Sequence, residues 1–87
     1  MEQERILVVD DDEGLLHLLR MRLSALGFSV TPCTGGRDAL TAARQETFDI
    51  AITDLRLRAE DGLALTEELM QIQPGLPPVA LGMLFAY

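Results

Sequence analysis

Two short apolar runs, each ended by aspartate, constrain this chain more than any other feature. Ile6-Leu7-Val8-Val9 runs directly into Asp10-Asp11-Asp12, and Ile50-Ala51-Ile52-Thr53 runs directly into Asp54. Runs this short, continuous in Ile, Leu and Val rather than alternating, read as strands buried on both faces. If the two strands lie side by side and parallel, their carboxyl ends bring at least three carboxylates into one pocket. Like charges at that range repel, and a hard cation is the simplest group to neutralise them. Oxygen-only donors favour Mg²⁺ or a close relative. The competing reading of Asp10-Asp11-Asp12 is a solvated turn with one residue capping the next helix, and Asp12 fits that role. Three consecutive acids after a buried strand go beyond what a cap requires.

The rest of the chain alternates regularly. A strand over Arg5–Val9 leads into a helix over about 14–26, where Leu15, Leu19, Leu23 and Leu26 fall on one stripe with Leu16 and Leu18 beside it. Asp12 is its expected N-cap and Gly27 its expected stop. Phe28–Thr31 reads as a second strand, broken by Thr34-Gly35-Gly36, and Ala39, Leu40 and Ala43 mark a second helix ending near Glu46. Phe48–Thr53 is the third strand. A loop over 54–62, with the turn signal Asp61-Gly62, precedes a third helix carrying Leu63, Leu65, Leu69 and Ile72. Pro74-Gly75-Leu76-Pro77-Pro78 ends that helix, and Val79-Ala80-Leu81 begins a fourth strand. Strand–helix units in series predict a parallel sheet with helices on both faces. In open sheets of this kind the site lies at the carboxyl ends of the strands, where strand order reverses. Both acidic clusters sit at such ends.

Composition narrows the function. Eighty-seven residues form one small domain, and 48% hydrophobic content is enough for a packed core. The net charge of -7 comes from 14 acids against 7 bases, all of them arginine, which argues against direct nucleic-acid binding. The single cysteine, Cys33, cannot close an internal disulfide and fits a reducing cytoplasm. The charged opening Met1-Glu2-Gln3-Glu4-Arg5 does not read as a signal peptide, and no apolar stretch reaches membrane-spanning length. His17 reads as a helix-surface residue, Cys33 as a small buried one, and Met21, Met70 and Met83 as core or edge packing.

Taken together, Ile6-Leu7-Val8-Val9-Asp10-Asp11-Asp12, Thr53-Asp54-Leu55-Arg56, Asp61-Gly62 and the proline-rich turn before strand four make the chain resemble the response-regulator receivers of two-component signalling. Asp54-Leu55-Arg56 with Gln73-Pro74-Gly75-Leu76-Pro77 is similar to receivers attached to sigma54-dependent activators. The resemblance implies a flavodoxin-like, doubly wound α/β sheet, here cut short after the fourth strand. Residues 1–82 would form the receiver and 83–87 an apolar tail. It implies Asp54 as phosphoacceptor, served by a sensor histidine kinase and not itself an enzyme. Mg²⁺ would be held by Asp10, Asp11, Asp54 and the backbone carbonyl of Arg56.

The chain also departs from the family pattern. Where receivers carry a Ser or Thr that senses the phosphoryl group, this chain has Gly82 or Met83, and it contains no lysine to pair with the phosphoryl oxygens. Arg58 stands near the place of the usual proline after the phosphoacceptor. These losses keep a second reading open, a phosphorylation-independent interaction or dimerisation module on the same fold. A metal-dependent phosphohydrolase ranks third, because Asp54-Leu55-Arg56 lacks the second aspartate such enzymes need two residues on. A sheet cut after strand four is expected to expose its edge and to self-associate there as a dimer or higher oligomer.

Overall fold

Strand β1, Arg5–Val9, is the axis around which the chain is built, because four of its five residues are apolar and all four are buried. The computed structural model describes residues 3–53, 62–76 and 78–80. Within them β1 is followed by α1 (Glu13–Ala25), β2 (Ser29–Cys33), α2 (Gly36–Gln45), β3 (Ile50–Thr53), α3 (Gly62–Ile72) and β4 (Pro78–Ala80). The strands form one parallel sheet in the order β2-β1-β3-β4. Strand order therefore reverses at β1, with β2 on one side and β3 on the other. The flavodoxin-like α/β reading is correct.

Alternation of side chains along each strand divides the core into two layers. Leu7, Val9, Cys33 and Ala51 pack with Ala39 and Ala43 of α2, Leu65 and Leu69 of α3, and Phe48 and Leu76. On the other face Ile6 and Val8 pack against Leu16, with Leu19, Leu23, Phe28, Val30, Ile50 and Ile52 partly buried around them. Helix α1 covers that face, while α2 and α3 cover the first.

The ends of α1 follow from local chemistry. The Asp12 side chain accepts a hydrogen bond from the Leu15 N–H at 3.1 Å, and Glu13 adds negative charge to the first turn. At the other end Gly27 has φ 99°, the left-handed region that glycine enters without strain. Its N–H donates to the Ser24 carbonyl at 3.0 Å, and the Phe28 N–H to the Leu23 carbonyl at 3.1 Å. These two bonds make a Schellman cap, and Phe28 and Leu23 add the apolar contact that accompanies one.

Packing corrects the sequence reading in several places. The stripe of α1 that meets the sheet is Leu16, Leu19 and Leu23, whereas Leu26, expected on it, is the C-cap residue and 73% exposed. Met21 is 56% exposed, and Met70 is also at the surface, so neither is a core residue. Strand β3 is not buried on both faces: Ala51 and Thr53 are buried, Ile50 and Ile52 only half so. The reason is that α1 lies over β1 and β2 and covers β3 incompletely. Helix α2 starts at Gly36, which is buried along with Ala39 and Ala43. Strand β2 runs on to Cys33, two residues past its expected end, because it pairs with β1 as far as Val9.

One side chain ties the amino-terminal rim together. Gln73, just after α3, donates from Nε2 to the carbonyls of Ala43 (2.8 Å) and Glu46 (2.7 Å). Its Oε1 accepts the Phe48 N–H at 2.9 Å. It thus satisfies carbonyls left over at the end of α2 and holds the entry to β3. Gln73→Leu is expected to leave those backbone groups without a protein partner and to lower unfolding free energy by about 1–3 kcal/mol, read as a reduced urea midpoint at unchanged slope.

Candidate functional site

The carboxyl end of β1 is built by the three aspartates in different ways. The Asp10 N–H donates to the Cys33 carbonyl at 3.1 Å, so the β1–β2 ladder runs one residue past the strand. Asp10 is 3% exposed, and its Oδ1 accepts the Asp12 N–H at 2.8 Å. That bond from side chain to backbone two residues on is the turn chemistry for which Asp is favoured. It bends the chain out of the sheet and into α1. Asp12, exposed, caps the helix as expected. A Cβ built at Gly14 would lie 3.3 Å from Asp12 Oδ1, so glycine there keeps the cap uncrowded. Asp11 lies between them and is half-buried.

The carboxyl end of β3 lies beside that of β1. Val9 is the register partner of Thr53, the last residue of β3. Thr53 is 0% exposed, and its hydroxyl lies 3.4 Å from the hydroxyl of Thr66 on α3. Asp54 and the Arg56 carbonyl, the other two expected site groups, lie outside the described residues, as do Gly82 and Met83. Among the described residues no group of three or more His, Cys, Asp or Glu side chains is arranged to hold a metal ion. An open cleft of about 450 Å³ lies at the opposite rim, lined by Thr47, Phe48, Asp49 and Gln73 to Leu76. It is at the amino ends of the strands, away from Asp10, Asp11 and Asp12.

Two features here were not visible in the sequence. The Thr53–Thr66 pair joins residues 13 positions apart, and nothing in either segment signals the contact. The pairing of the Arg5 N–H with Asp49 Oδ2 at 2.7 Å likewise needs the β1–β3 register.

Cys33 is buried, as expected. Burial pushes its thiol up to about 11, helped by the nearby charges of Asp38 and Glu46. The thiolate is the reactive form, so Cys33 is inert near neutral pH. In the unfolded chain the thiol returns to the ordinary value of 9.0. The unfolded state then loses its proton first, and stability carried by Cys33, complete below pH 9.0, is lost as pH rises to about 11. Cys33→Ala is expected to flatten that part of the stability profile, measured by urea unfolding from pH 8 to 11.

The chain belongs to the response regulator receiver domain family: residues 6–84 match its family model. It is 42% identical over 76 residues to the transcriptional regulatory protein GlrR of Escherichia coli K12. That match takes in 87% of this chain and 17% of GlrR, so the chain spans a small part of the relative's length. Among solved structures it is similar to a response regulator from Burkholderia pseudomallei, solved with a phosphorylated aspartic acid, a calcium ion and citrate. The TM-score is 0.85 at 29% identity, covering 90% of this chain and 46% of that one. It is also similar to the response regulator TrrA of Thermotoga maritima in complex with Mg²⁺ and BeF, with a TM-score of 0.81 at 26% identity over 87% of this chain and 66% of that one.

Proposed function

We propose that this receiver domain, residues 1–82, takes up a phosphoryl group on the Asp54 carboxylate from a phosphohistidine of a sensor histidine kinase, with Mg²⁺ as cofactor. The β1–β3 register carries the reading. Val9 stands opposite Thr53, and in each strand the next residue is an aspartate. Asp10, Asp11, Asp54 and the Arg56 carbonyl would hold the cation. The donor set is all oxygen, as Mg²⁺ prefers. A carboxyl as buried as that of Asp10 also favours a nearby positive charge.

In the reaction an Asp54 carboxylate oxygen attacks phosphorus. An O–P bond forms while the N–P bond to the donor histidine breaks, and the imidazole leaves with the bonding pair and takes up a proton. When bound, Mg²⁺ offsets the repulsion between the carboxylate and the phosphoryl oxygens. Asp10 shapes the turn that presents Asp11, and Asp12 anchors that turn to α1. The phosphorylated product carries a charge near -2 and so acts as a signal rather than as a catalytic group.

The setting is the cytoplasm, which the unpaired Cys33 supports. Among the described residues no helix is long and apolar enough to cross a membrane. Similarity to transcriptional regulatory proteins supports an output in transcription, of the sigma54-dependent kind. Incubation with Mg²⁺ and phosphoramidate should add one phosphoryl group to the intact mass. Asp54→Asn should abolish the adduct, and Asp11→Asn should weaken its Mg²⁺ dependence by at least roughly tenfold. A folded chain that binds Mg²⁺ yet gains no adduct would instead be a phosphorylation-independent interaction module.

The partner surface includes a second copy of the chain. Strand β4 is the outer strand on its side of the sheet among the described residues, and outer strands offer unpaired backbone groups. Light scattering after size exclusion should give the mass of a dimer or larger species at micromolar concentration. A clean monomer sinks the self-association.

A further inference from the structure

Strand β3 ends on a hydroxyl where an apolar side chain would pack as well. Thr53 shares its face of the sheet with Ala51, Leu7 and Val9, all buried in the layer that Leu65 and Leu69 of α3 complete. Its hydroxyl meets the hydroxyl of Thr66, whose helical neighbours Leu65 and Leu69 point into that layer. The two residues border the segment between β3 and α3. Thr53 directly precedes Asp54, and Thr66 lies in the second turn of α3. Apolar contacts are non-directional and leave a helix free to shift along a strand, whereas a hydroxyl pair has one favoured geometry. The 3.4 Å separation is longer than the usual O–H···O distance, so the bond is modest in strength. Its worth lies in direction.

We propose that the Thr53–Thr66 hydroxyl pair is a positioning contact, which sets the carboxyl end of β3 against α3 and through it aligns Asp54 for phosphoryl uptake. The proposal rests on the phosphoacceptor reading above. Thr53 is bonded covalently to the reacting residue, so a shift at its Cα is passed on directly. Alignment errors of about 1 Å can cost phosphoryl or acyl transfer on the order of a hundredfold. Neither threonine touches the phosphoryl group in this scheme. Both act through Asp54.

Three variants of the full chain test it, each assayed for the rate of phosphoryl uptake from phosphoramidate with Mg²⁺ and for its thermal midpoint. Thr66→Val keeps the shape and deletes the hydroxyl; uptake should slow roughly fivefold, the worth of one net hydrogen bond. Thr66→Ser keeps the hydroxyl and should restore uptake to within about twofold of the unmodified chain. The double variant Thr53→Val with Thr66→Val removes both hydroxyls, so the buried Thr53 group is no longer left wanting a partner. It should recover thermal midpoint lost in Thr66→Val yet remain slow. If the double variant regains stability and rate together, the pair only stabilises the fold and the proposal is overturned. Uptake in Thr66→Ser as slow as in Thr66→Val overturns it too. Should Thr66→Val fail to fold, the serine and double variants still decide. If the unmodified chain takes up no phosphoryl group, the phosphoacceptor reading falls and this one with it. If it does and every variant matches it, only the positioning role falls.

Discussion

Parallel pairing of β1 with β2 on one side and β3 on the other is the constraint from which the rest of the molecule follows. Ile6 to Val9 are buried on both faces because both flanks are occupied by strands and both faces by helices. The ladder continues through the Asp10 N–H to Cys33, so the first aspartate leaves the sheet in a fixed direction. A one-residue slip between β1 and β3 would turn every β3 side chain to the other face. It would put Thr53 where Ile52 now stands and dissolve the match of Val9 with Thr53. Reversal of strand order at β1 turns two sequence motifs 44 residues apart, Asp10 and Asp54, into candidates for one site.

The connections hold that ladder in place by satisfying backbone groups at the helix ends. Asp12 caps the start of α1, and the Gly27 turn closes it with two bonds donated to carbonyls of its last turn. At the opposite rim Gln73 supplies donors and an acceptor to the end of α2 and the entry of β3. Glu46 receives the Thr31 hydroxyl at 3.0 Å and a salt bridge from Arg5 at 3.4 Å. That exposed ion pair contributes little by itself. It nonetheless lies at a point where α2, β1 and β2 meet. The two rims thus have separate work: one is knitted by polar bonds, and the other presents aspartates.

Much of this was legible in the residues. Periodicity placed α1 and the four strands within about two residues, and Asp12 and Gly27 were identified as cap and stop because their chemistry is local. The acidic run after β1 marked the carboxyl end of the sheet as the candidate site for the same reason. Where the reading failed, the missing quantity was which neighbour covers a side chain. Leu26 has the right spacing to be buried but sits at the C-cap, past the point where α1 touches the sheet. Ile50 and Ile52 look as buried as Ile6 and Val8, yet the helix above them is centred on β1 and β2.

The chain by itself determined the parallel α/β architecture, the ends of α1 and the assignment of Asp10, Asp11 and Asp54 as candidates for one site, because hydrophobic period, caps and acid clusters act over a few residues. Tertiary structure alone decided the β1–β3 register, the exposure of Leu26 and Met21, the triple role of Gln73 and the meeting of Thr53 with Thr66. Those depend on contacts between residues far apart in sequence, and no local pattern encodes the distance between them.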